Sequence, residues 1–92
     1  MPTKLERDQP NDAEQTKRAT LNARIGEQVI HTLGKPVDLL LVQVRELWDN
    51  HYRVNVLIGA DAVTFRIANS YFVEGDNDGN IVKSTPKIAK QY

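Results

Sequence analysis

The sequence contains no cysteine, which removes a disulfide framework, thiolate catalysis and a thiolate zinc site together. Net charge is absent too: twelve basic residues cancel twelve acidic ones. Long-range steering toward nucleic acid or an anionic membrane therefore has no source in the chain as a whole. No apolar stretch approaches the roughly 18 residues of a membrane span, and Met1-Pro2-Thr3-Lys4 leads into charge rather than an apolar signal core. A glycine-rich phosphate loop and internal repeats are also missing. These absences point to a soluble, cytoplasmic domain with no cofactor and no membrane partner. Ninety-two residues make a single domain over 11–92. A chain of that size buries only about 60% of its unfolded surface, so association with another subunit adds stability.

What is present divides cleanly. Residues 1–10 hold one large apolar side chain, Leu5, among charges and two prolines. Such a segment cannot offset its own ordering entropy and reads as a disordered tail. Asn11 and Glu14 then have the spacing of a capping box, and Leu33-Gly34-Lys35-Pro36 offers a glycine cap followed by a proline. Between them Leu21, Ile25, Val29 and Leu33 recur every fourth residue. The spacing predicts an amphipathic helix over about 12–33, whose first turns overhang the sheet it covers.

Leu39 to Val73 carries most of the remaining large apolar residues in three alternating runs separated by turn chemistry. Strands are expected at about 38–48, 52–59 and 63–73, with a short fourth at 81–83. A two-residue Asp49-Asn50 turn would put Val54 opposite Arg45, so the apolar match favours a three-residue loop Asp49-Asn50-His51, which pairs Trp48 with Tyr52 and Val44 with Val56. A turn at Ala60-Asp61 opposes Val56 with Phe65 and Val54 with Ile67. That register gives an apolar inner face of Val42, Val44, Trp48, Tyr52, Val54, Val56, Ile58, Phe65 and Ile67. Beyond Ile67 the alternation fails at Ala68-Asn69-Ser70, which predicts a bulge that re-aims Tyr71 and Phe72. The fold class is α+β: one N-terminal helix on a three- to four-stranded antiparallel meander.

The outer face is where binding is expected. Leu39, Leu41, Leu47 and Leu57 fall there with Arg45, Arg53, Asn55 and Arg66. An apolar fringe around arginines is the composition of a protein-binding surface. The expected partner is another protein or a second copy, giving a homodimer. Residues 88–92 are the alternative cover for the leucines. RNA or DNA binding through Arg45, Arg53, Arg66 and the lysines Lys83, Lys87 and Lys90 is the alternative function. It lacks a stacking platform if Trp48, Tyr52 and Phe65 point inward.

Catalytic and metal chemistry find thin support. His31 sits on the polar helix face and His51 in a hairpin loop, with no carboxylate or hydroxyl placed to orient either. Glu46 is the one acid expected on the inner face, where burial would raise its pKa. An enzyme would need one of these three in a pocket, so a non-enzyme is expected. Glu74, Asp76, Asp78 and Asn80 partly match an EF-hand loop. Thr85, however, stands where the bidentate glutamate belongs, and strands flank the loop. A plain turn accounts for the same residues. The element order resembles cystatin-like and PepSY-like domains, and its first four elements resemble the double-stranded-RNA-binding domain. The likeness is of architecture and transfers no functional residue.

Overall fold

The computed structural model describes the backbone of residues 4–61 and 63–92, and the side chains from Thr16 onward except that of residue 62. One helix, α1 (Lys4–Leu33), packs against a four-stranded antiparallel sheet. The strands β1 (Leu39–Trp48), β2 (His51–Gly59), β3 (Phe65–Gly75) and β4 (Ile81–Thr85) lie in sequence order, an open meander. The α+β architecture is as the residue pattern predicts.

The helix starts earlier than expected. Helical backbone begins at Lys4, eight residues ahead of the start expected at about 12, and the expected tail over 1–10 falls partly outside the described residues. Lys4, Leu5, Glu6 and Arg7 are good helix formers, whereas Pro10, the seventh residue of the helix, removes a backbone donor and crowds the carbonyl four residues before it. Residues 1–3 and the side chains of the Asn11–Glu14 pair lie outside the described residues. Residues 16–20 are all exposed, and burial begins where the fourfold apolar repeat begins. Ile25, Val29 and Leu33 are fully buried against Tyr52, Val54, Val56, Tyr71 and Val73. Gly26 lets the helix come close to β1, since a Cβ there would stand 3.2 Å from a Val44 methyl.

The first hairpin has the expected parity and a different offset. Val42 pairs with Val56, Val44 with Val54 and Glu46 with Tyr52, two residues away from the three-residue-loop register. The turn itself is Asp49-Asn50, with Asn50 at φ 62°, a conformation that asparagine tolerates. Leu47 is the extra residue of a bulge between Glu46 and Trp48. The bulge moves Trp48 to the other face, opposite His51.

The second hairpin differs more. Asp61 closes a wider connection, its Oδ1 accepting the Val63 and Thr64 amides at 2.9 Å each. Ile58 then pairs with Arg66, and Val54 with Tyr71. Phe65 and Ile67 leave the core, and Tyr71 and Val73 take their places. The predicted bulge is present: a register shift falls between Val56–Asn69 and Leu57–Ile67, with Ala68 the extra residue.

Two tethers hold the helix to distant chain. The Gln28 amide donates to the carbonyls of Gly79 and Arg24, and its oxygen accepts the Ile81 amide at 3.0 Å. Arg24 donates to the Asp78 carbonyl at 3.0 Å. A polar helix face thus clamps the β3–β4 turn. Replacing Gln28 with alanine should cost about 1–2 kcal/mol, because it strands partly buried backbone groups. A urea midpoint measurement reads this directly.

Candidate functional site

The helix covers one face of the sheet and leaves the other bare. The chain after β4 does not cover it either. The amides of Gln91 and Tyr92 both donate to the Leu33 carbonyl, at 2.7 and 3.1 Å, and Ile88 packs against the core. The alternative in which residues 88–92 shield the outer leucines is therefore excluded: that segment closes the C-terminal end of α1.

Pairing fixes the rows of the bare face. Leu41, Leu57 and Ile67 form one row across three strands, with Leu41 52% and Ile67 53% exposed. Gln43, Asn55 and Ser70 form the next, joined by side-chain bonds of 3.1 Å (Asn55 to Gln43) and 2.7 Å (Ser70 to Asn55). Arg45, Arg53, Phe72 and Thr85 make the third, where Arg53 donates to the Ser70 hydroxyl at 3.3 Å. The fourth is Trp48, His51, Glu74 and Lys83. Apolar side chains mark one end of the surface, arginines and aromatics the other.

Alternation and the Leu47 bulge bring three rings together at that second end. Trp48 stacks on His51 with centroids 4.7 Å apart and 26° between planes. Phe72 leans on both, 5.7 Å from Trp48 and 5.8 Å from His51. His51 Nδ1 donates to the Asp49 carbonyl at 2.7 Å, leaving Nε2 3.8 Å from Glu74. Glu74 therefore supplies the nearby carboxylate that His51 lacks in the sequence reading. Trp48 is 57% exposed. Among the described residues no carboxylate forms an ion pair with Arg45 or Arg53.

The structure brings some of the expected site residues onto one face and places others elsewhere. Leu41, Arg45, Arg53, Asn55 and Leu57 share the bare face, although Asn55 opposes Gln43 and Ser70 rather than Arg45 and Arg66. Leu39 does not belong there. A register shift at Leu40 turns it to the helix side, where it pairs with Ile58 and packs on the core. Arg66 also pairs with Ile58 and so leaves the face. Trp48, His51 and Phe72 are the additions. A bulge is invisible to strict alternation, and only the left-handed tolerance of Asn50 hints at the short turn that requires it.

The catalytic candidates do not converge. Glu46 is exposed beside buried Tyr52. Burial raises the Tyr52 phenol above its ordinary value, and the Glu46 carboxylate adds to that rise. His31 lies on the helix, bordering a groove against β4, whereas His51 is on the bare face.

The β3–β4 loop behaves as a turn. Asp76 Oδ1 accepts the amides of Asp78 and Asn80 at 2.9 Å each, and its Oδ2 accepts the Asn80 side chain at 3.2 Å. These bonds hold the Asp76 carboxyl below the usual aspartate range, the Asn80 amide contributing most. The carboxylate is committed to its own loop. Among the described residues no three histidine, cysteine, aspartate or glutamate side chains group as metal ligands, and no helix is long and apolar enough to cross a membrane.

Comparison with protein-family models, with curated proteins and with solved structures finds no match to this chain.

Proposed function

We propose that this domain works by binding a partner protein on the bare face of its sheet. The observation that carries the reading is the pair of adjacent arginines, Arg45 and Arg53, free of carboxylate partners beside an exposed Trp48. Aromatic residues and arginine are the types enriched in protein interfaces. The matching partner surface has an apolar patch for Leu41 and Ile67, which flank the buried Leu57, and a carboxylate for the arginines, which bind it bidentately. The Gln43–Asn55–Ser70 row is already hydrogen-bonded within itself, so covering it strands few polar groups.

The ring cluster favours a second reading, single-stranded nucleic acid, because bases stack on aromatic side chains that stand beside arginines. Two assays separate the readings. In the first, immobilised wild type is compared with Leu41→Asp and Arg53→Glu against nuclease-treated extract. Protein binding predicts that one discrete protein is retained by wild type and lost from both variants, with melting unchanged. Equal retention by all three, or none by wild type, contradicts it. In the second, labelled oligo-dT and oligo-U are titrated at about 50 and 200 mM salt. Binding that weakens by an order of magnitude or more across that range selects nucleic acid instead.

A further inference from the structure

The two edges of the sheet are not alike. β4 spans five residues, carries Lys83, and runs directly into Pro86. Lysine, proline and shortness are among the devices that keep an edge from pairing, as are bulges, which β1 carries only at Leu40 and Leu47, outside the stretch Leu41–Glu46. β1 spans ten residues, LLLVQVRELW, with neither lysine nor proline. Apart from the Leu39 amide, which donates to the Pro36 carbonyl at 3.2 Å, its outward backbone groups have no strand to pair with, since only β2 neighbours it. Beside this edge, on the helix side, lies a groove of about 530 Å³ with an apolar floor that includes Ile30, Val42 and Val44 and a rim that carries Glu27, His31 and Lys35. Asn22 lines the same groove, and its Oδ1 is buried with no hydrogen-bond partner.

We infer that β1 pairs antiparallel with β1 of a second copy, so that the sheet continues across a two-fold axis into eight strands. Symmetry restricts the register. A two-fold axis normal to the sheet keeps each face on its own side, so opposed residues must share a face and the axis must pass midway between a residue and its own copy. Gln43 and Val44 are the central positions of Leu41–Glu46, the stretch that lies between the two bulges. An axis at Val44 places Glu46 opposite Val42 on the apolar side. An axis at Gln43 instead places Val42 opposite the copy's Val44 twice over, and Leu41 opposite Arg45. The second arrangement matches apolar with apolar on the helix side, and β1 to β1 centred on Gln43 is the assigned contact. The two grooves then face each other across the axis, and each offers its unpartnered Asn22 oxygen to a donor from the copy. This association leaves the outer face open and does not depend on what binds there.

The absence of native cysteine allows a positional test. Opposed residues across an antiparallel pair sit about 4.5–5.5 Å apart at Cα, within disulfide range. Single variants Gln43→Cys, Val82→Cys and Arg53→Cys report the β1 edge, the β4 edge and the bare face respectively. Wild-type protein should sediment at twice 10.4 kDa, and on mild oxidation Gln43→Cys alone should convert to a covalent dimer. A wild-type monomer overturns the inference. So does a dimer that cross-links through position 53 or 82 and not through 43. The extract assay above can fail without altering either readout, which keeps the two proposals distinguishable.

Discussion

Truncating Ile25 to alanine should cost about 3 kcal/mol, a large share of the roughly 5–15 kcal/mol that holds a domain folded. Ile25 is fully buried in the core cluster between the helix and the sheet. Its Cδ1 lies only 3.1 Å from where a Cβ on Gly75 would be, so the backbone of β3 is close against it. A Cβ-only side chain leaves a cavity in the cluster that Ile25 shares with Val29, Tyr52 and Val54, and a close-packed core collapses into such a space only partly. Ile67→Ala is the informative control. Strict alternation places Ile67 in the core, whereas it is 53% exposed on the bare face. Its truncation should change stability by no more than about 0.5 kcal/mol. Urea unfolding of both variants measures the contrast, and comparable losses would mean that the second hairpin has the wrong register.

Gly34→Ala is expected to destabilise by about 3 kcal/mol through two separable causes. Gly34 closes α1 with φ 95° and donates its amide to the Ile30 carbonyl at 2.8 Å. An alanine in a left-handed conformation costs about 1–2 kcal/mol. The added Cβ would also stand 2.6 Å from the carbonyl carbon of Tyr92. That is a backbone atom, which cannot swing aside as a side chain does. The segment would have to move and give up the two amides that satisfy the Leu33 carbonyl. Removing Gln91 and Tyr92 from the variant relieves the second cause alone. In that shortened background the penalty from Gly34→Ala should fall to about 1–2 kcal/mol.

How much of this was legible in the residues follows from which signals are local. The fourfold repeat Leu21, Ile25, Val29, Leu33 places the buried stripe of α1, and Gly34 places its end. The helix start was not legible because Asn11 and Glu14 form a convincing cap pattern inside an element that begins at Lys4. Alternation identified the strands, and Val42, Val44, Val54 and Val56 are on the helix side as their parity requires. Bulges defeat it, since one extra residue exchanges faces for everything beyond. Leu47 did this to Trp48, and Leu40 did it to Leu39. The longer connection closed by Asp61 similarly moved Phe65, Arg66 and Ile67. The arginine pair of the candidate site survives because Arg45 and Arg53 lie between the bulges. Its aromatic half, Trp48, His51 and Phe72, depends on the bulge and on pairing across three strands.

The central claim is that one sheet face is bare and that Trp48 stands on it. Trp48 is the only tryptophan in the chain, so its fluorescence reports one position. The direct measurement is acrylamide quenching in native buffer and again in denaturing urea. An exposed Trp48 stacked on His51 predicts efficient quenching of the folded protein, with only a modest further gain on unfolding. A tryptophan shielded in the folded state, and quenched efficiently only after unfolding, would place Trp48 beneath the helix and contradict the account.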